Sequence, residues 1–248
     1  MNLFNHQNVA PFISKQLIQR LITSNPTPQY VERIASVFND NGEGARGDLA
    51  AVVKAIYLDD EARHYGSVLS YQGKIKEPLL KTVQFWRNLN ARSPEGYYKT
   101  WNLVDRYGQG PMQSSSVFNF FRPDYQPAQL RTNSLVAPEL QIAGDATIIG
   151  TMNEHFADLV WSTAEAHTDL NPNGIYVYII NDMNTLQNNG INYLLDQYNV
   201  LYFAGSMSSD TRQALLDLDA YFDDDQYRER VSYLLYMIAI SPEFNLQY

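Results

Sequence analysis

NVAPFISKQLIQRLITSNPTPQYVERIASVF (residues 8–38) decides the fold class. Val9, Ile13, Leu17 and Leu21 fall four apart, and Phe12 and Ile18 widen the stripe, so residues 8–23 read as an amphipathic helix. Pro11 falls in its first turn, where proline is tolerated. Ser24-Asn25-Pro26 stops the helix, and Thr27-Pro28 starts the next. Thr27 is suited to the N-cap, and Pro28 to the first helical position, where its missing N–H costs nothing. Val31, Ile34, Ala35 and Phe38 form the buried face of that second helix, and NDNGEG (39–44) ends it. So short a link places the two helices side by side, the beginning of a helical array.

The pattern continues outward. Leu49, Val52, Val53 and Ile56 predict a helix over about 47–57, and Leu79, Val83 and Trp86 another over 77–89, with Pro78 in its first turn. Between 107 and 138, Gly108, Gly110, Pro111, Pro123, Pro127 and Pro138 exclude any long regular element. A helix over about 139–166 is expected from Ile149, Met152, Phe156, Leu159 and Val160. Asn171-Pro172-Asn173-Gly174 then reads as a turn before IYVYII (175–180), the segment richest in β-branched and aromatic residues. One strand cannot make a sheet, so a small hairpin or a short buried helix is expected there. Helices over about 190–203, 210–222 and 225–240 close the chain, the middle one capped by Ser208 or Ser209. The expectation is an all-α fold: one domain over 1–248, about eight helices, a long ordered loop at 107–138 and an insertion near 168–190.

Composition narrows the function. The 248 residues are long enough to bury roughly 70–75% of the unfolded surface. Net charge is −9, which argues against a nucleic-acid backbone or an anionic membrane surface as main partner. With no cysteine, disulfides, thiolate metal sites and cysteine nucleophiles are excluded. No apolar run approaches the ~20 residues that span a bilayer. The first residues, MNLFNHQNVAPF, do not read as a signal peptide. Abundant Asn, Gln and Tyr beside scarce Lys lean towards an extracytoplasmic protein, periplasmic or extracellular.

Several segments together carry a resemblance. They are residues 3–38, RGDLAAVVKAIYLDDEAR (46–63), KEPLL (76–80), SSSVFNFFRPDYQP (114–127), APEL (137–140) and YLLYMIAISPEF (233–244). The combination resembles the bacterial "domain of unknown function 1800" family. The resemblance implies a mainly helical protein, usually exported, often encoded beside a sulfatase-like partner, and it transfers no reaction and no catalytic residue. Family members are generally longer, so the chain is expected to begin partway along their pattern, with any export signal upstream.

The chemistry has a few candidates. Phe118, Phe120, Phe121 and Tyr125, with Arg122 and Asp124 as polar anchors, form either an aromatic platform for a sugar or peptide, a partner surface, or a plug over the open end of a helical bundle. His6 suits a helix cap. As a general acid–base it needs a carboxylate, for which Glu77 or Glu139 stand at helix starts. Glu154, His155 and Asp158 share neighbouring helix faces, but a metal site there needs ligands from elsewhere, and Glu165 and His167 are the visible complement; solvated charge is the plainer reading. Ser114-Ser115-Ser116 lacks a nucleophile elbow and GQG (108–110) a phosphate-loop pattern. Asp223-Asp224-Asp225 reads as an acidic helix start. No cofactor or metal is implied. Two functions follow: a binding or assembly module acting with a partner protein or surface glycan, and a hydrolase of polysaccharide or another exported polymer.

Overall fold

The computed structural model describes residues 3–64, 72–98, 100, 103–117, 119–164 and 174–247. A 3-10 turn at Leu3–Asn5 leads into α1 (Val9–Leu21), α2 (Pro28–Asn39), α3 (Leu49–Leu58) and the single turn α4 (Asp60–Arg63). The two-residue strand β1 (Lys74–Ile75) precedes α5 (Pro78–Asn88) and the short α6 (Leu103–Tyr107). Two more 3-10 turns, Ala128–Asn133 and Pro138–Gln141, come before α7 (Asp145–Phe156), which runs on as a π-helical turn over Ala157–Trp161. After β2 (Thr163–Ala164) and β3 (Val177–Tyr178) come α8 (Ile180–Asn189), α9 (Ile191–Phe203), α10 (Ser209–Asp219) and α11 (Tyr227–Ile240), and β4 (Leu246–Gln247) ends the chain. The fold is all-α.

The chain groups into two compact units, each assembled from separate stretches. The first takes Met1–Ile75, Ser116–Gln141 and Leu246–Tyr248. Its core is Ala10, Ile18, Tyr30, Ile34, Ala35, Phe38, Val52 and Ile56. Thr27 caps α2 by accepting from the Tyr30 N–H at 3.1 Å, and Asp48 caps α3 through the Ala50 and Ala51 N–H groups. β1 pairs antiparallel with β4, Lys74 opposite Gln247. On α1 the buried line is Ala10, Ser14 and Ile18, flanked by the half-buried Val9, Ile13, Leu17 and Leu21. Phe12 does not widen that stripe; it is 56% exposed, two positions and about 200° from Ala10.

The second unit takes Lys76–Ser115 and Ile142–Asn245. Its core gathers Phe85 and Leu89 of α5, Leu159 beyond α7, Leu194, Leu195, Tyr198 and Tyr202 of α9, and Val231, Leu234, Leu235 and Ile238 of α11. The single helix expected over 139–166 is corrected: Gly144 starts α7 late, and the last turn widens to π geometry. Ile149 is 58% exposed, whereas Thr151, His155 and Leu159 face the interior. Gly150 explains part of that register, since an added Cβ would meet the Arg106 carbonyl at 2.7 Å; only glycine lets α7 approach α6 so closely. IYVYII forms neither a hairpin nor a helix as a whole. Val177–Tyr178 pairs in parallel with Thr163–Ala164, and α8 begins at Ile180. Ser208 caps α10. Residues 165–173, which hold Glu165, His167 and the start of the expected insertion, lie outside the described residues.

Candidate functional site

The aromatic connector belongs to the first unit, and there it seals more than it displays. Phe121 is 4% exposed, with the Arg20 guanidinium 4.6 Å over its ring. Gln19 Nε2 on α1 donates to the Pro123 carbonyl at 3.3 Å, and the Asn25 side chain bonds both backbone groups of Val136, at 2.9 and 2.8 Å. Such ties give an irregular segment the hydrogen bonds its backbone lacks. Phe120 and Tyr125 are half-buried. Arg122 and Asp124 point outward and pair with each other at 2.8 Å. Phe118 lies outside the described residues.

The other sequence candidates scatter. Exposed His6 accepts from the Asn8 N–H at 3.2 Å through Nδ1, just before α1, whose N-cap Asn8 has no side-chain cap bond. Glu77 belongs to the second unit, where Gln109 Nε2 donates to it at 2.8 Å. Glu139 is buried in the first unit against Lys74, at 3.0 Å. His155 and Asp158 turn to different partners: His155 Nε2 lies 3.2 Å from the Thr82 hydroxyl, which also meets the Tyr107 hydroxyl, while Asp158 accepts from Trp86 Nε1 at 3.0 Å. Among the described residues no three His, Asp or Glu side chains gather as a metal site.

That Thr82–Tyr107–His155 grouping has a pH signature. Burial, helped by the Lys81 charge, holds the His155 imidazole down at about 3, and burial pushes Asp158 up to about 7. Between about pH 3 and the ordinary histidine value of about 6.5 the unfolded chain binds the extra proton at His155, so this residue's contribution to stability rises with pH. Asp158 works the other way between about 4 and 7. His155→Gln should therefore compare best with wild type in acid: the stability difference shifts in the variant's favour as pH falls from 6.5 to 4. Urea titrations across that window check it, and a pH-independent difference contradicts the burial of a neutral imidazole.

Among the described residues, two concave surfaces stand out. A cleft of about 610 Å³ in the first unit is lined by Thr27, Gln29, Arg33, Leu58, Asp59, Asp60 and Glu61. Three of its four charged groups, Arg33, Asp59 and Glu61, are already engaged within the fold. Arg33 grips Asp59 through two bonds of 2.7 Å, and Glu61 accepts from the Thr27 N–H at 2.9 Å.

The second cavity, of about 330 Å³, lies within the second unit and is lined by Asn88, Leu89, Asn90, Arg92, Tyr178, Ile180, Asn181 and Asp182. It forms where the end of α5 meets the start of α8. Asn90 takes a left-handed backbone (φ 49°), a conformation asparagine tolerates better than most residues, and this turns the chain back after α5. Arg92 and Tyr176 then exchange two backbone hydrogen bonds of 2.9 Å, and the Tyr178 N–H donates to the Leu89 carbonyl at 2.9 Å. These bonds hold the 88–92 turn against the chain leading into α8. Asp182 sits in the first turn of α8, where the helix dipole favours a carboxylate. Burial wins: it raises Asp182 to about 6, with the Tyr198 hydroxyl pulling the other way. Behind it, Tyr198 and Tyr202 are 1% and 2% exposed; Tyr198 lies beside Asp182, but among the described residues neither hydroxyl meets a partner at full hydrogen-bonding geometry. Burial and then the Asp182 charge hold both phenols well above their usual range. Three amides, a guanidinium and one carboxyl thus converge on a small space, each amide offering a donor and an acceptor.

None of these lining residues was singled out in the sequence. The available signal was faint: amides follow an apolar run twice, in NLN (88–90) and after IYVYII at Asn181-Asp182. No curated protein and no solved structure matches the chain. Over residues 1–246 it matches the model of a family described as "Protein of unknown function (DUF1800)", and the chain belongs to that family.

Proposed function

We propose that this chain is an extracytoplasmic binding module that holds a hydroxyl-rich ligand, the sugar units of a surface glycan, in the cavity between the end of α5 and the start of α8. The observation that carries the reading is the lining itself. Asn88, Asn90, Asn181 and Arg92 around about 330 Å³ supply the planar donors and acceptors that fix sugar hydroxyls, at the small end of the ~300–1,000 Å³ in which proteins hold ligands. Scarce lysine and abundant Asn, Gln and Tyr support the compartment.

Binding fits this lining better than cleavage. Glycoside hydrolysis ordinarily uses two carboxyl groups about 5–10 Å apart across the scissile bond, and Asp182 is the lone carboxylate among the described lining residues. Arg92 and Asn181 are exposed, so replacing them should spare the fold. In calorimetric titration against neutral hexoses, N-acetylhexosamines and their disaccharides, Arg92→Ala and Asn181→Ala should each weaken binding roughly tenfold at unchanged melting temperature. Equal affinity in wild type and both variants would remove the cavity as the site.

A further inference from the structure

A separate feature of the second unit is a pair of half-buried lysines, each hydrogen-bonded through its ammonium to an uncharged amide. Lys76 stands just before α5, and Lys81 lies in its first turn and a half. The turn at Phe244–Asn245, which follows α11, engages both. Lys81 Nζ donates to Asn245 Oδ1 at 2.5 Å, and the Lys76 N–H donates to the Asn245 carbonyl at 2.8 Å. Lys76 Nζ lies 4.0 Å over the Phe244 ring and donates to Gln84 Oε1 at 3.2 Å. Among the described residues no carboxylate comes within ion-pair distance of either ammonium.

That arrangement is unusual in its charge balance. Taking an ammonium out of water is costly, and a structural lysine is ordinarily paired or extended into solvent. Here two are drawn inward, and each has a single polar side-chain partner, an uncharged amide, for three N–H donors. Burial lowers both to about 8, and for Lys76 the charge of Lys81 adds to the effect. Both side chains converge on the Phe244–Asn245 turn, so the two charges share one small patch. The same Lys81 charge reaches His155, which stays neutral and supplies no compensation. What satisfies such a pair is an anion with several acceptor oxygens that can take donors from both ammoniums, and lysine is a point-charge binder of phosphate groups.

We propose that Lys76 and Lys81, gathered by the Phe244–Asn245 turn, form a binding site for a tetrahedral oxyanion, either a free phosphate or sulfate ion or the same group carried as an ester. The site stands apart from the saccharide cavity and does not depend on it. The free ions and the esters share one chemistry, and separate arms of the test tell them apart.

The test is a titration of the intact protein with inorganic phosphate, inorganic sulfate and phenyl phosphate at constant ionic strength set with sodium chloride. Saturable stabilisation in the low-millimolar range is expected, with a rise of about 5 °C once the anion exceeds Kd a hundredfold. If phenyl phosphate saturates at lower concentration than the ions, the natural ligand is an ester; the reverse order makes it the free ion. Lys81→Met should abolish the response, and Lys81→Arg should keep it. Should Lys81→Met fail to fold, phosphorus NMR line broadening of phosphate by wild type, lost in Lys76→Met, reads the same site. The proposal is overturned if the stabilisation matches that of chloride, if it rises without saturating as a general salting effect does, or if Lys76→Met and Lys81→Met retain it in full.

Discussion

Replacing Lys74 by Met should cost the first unit about 3–5 kcal/mol, the largest loss expected from any single polar substitution in the chain. Lys74 Nζ lies 3.0 Å from Glu139 Oε1, with the two side chains only 1% and 2% exposed. The ammonium also donates to the Arg20 carbonyl at 2.9 Å, which ties β1 to the end of α1. Without it, Glu139 keeps one hydroxyl contact, Ser24 Oγ at 3.5 Å, and a carboxylate is left in a dry interior. Lys74→Met with Glu139→Leu should regain most of the stability, because an apolar pair of similar volume carries no desolvation penalty. Urea denaturation of the two variants decides the matter. A single-variant loss below about 1 kcal/mol would mean that water reaches the pair.

Phe121→Ala is the second large effect, about 3–5 kcal/mol, from the cavity left beneath Arg20. Its neighbour provides the contrast. Arg122 and Asp124 are 67% and 65% exposed and bonded to each other, so Arg122→Ala should leave the melting midpoint where it is. A connector that served mainly to display a binding platform would show the opposite pattern, with little loss at Phe121. Melting curves of the two single variants separate a seal from a platform without any ligand.

The helices were legible because their ends carry local chemistry. Thr27-Pro28 caps and opens α2 as the sequence predicts, and Ser208 caps α10 through the Thr211 N–H. Which side of each helix turns inward was less legible. On α1, α5 and α7 the interior lines run through Ser14, Thr82 and His155, small or polar residues that periodicity of apolar side chains passes over. IYVYII misled for a different reason. Its β propensity is satisfied by two residues paired with Thr163–Ala164, a partner whose distance along the chain no local pattern reveals. The cavity was hidden in the same way: Asn88, Asn90 and Arg92 meet Asn181 and Asp182 only because Tyr176 and Tyr178 hold the turn after α5. The division into two units also depends on such pairings, since Leu246–Gln247 returns to β1 from the far end of the chain.

The most direct test of the binding assignment is a titration of the labelled protein with neutral saccharides, read by amide chemical shifts. The account predicts saturable changes at residues 88–92 and 178–182, with Arg92→Ala weakening them roughly tenfold. Changes confined to residues 27–33 and 58–61, or none with any sugar at millimolar concentration, would contradict it.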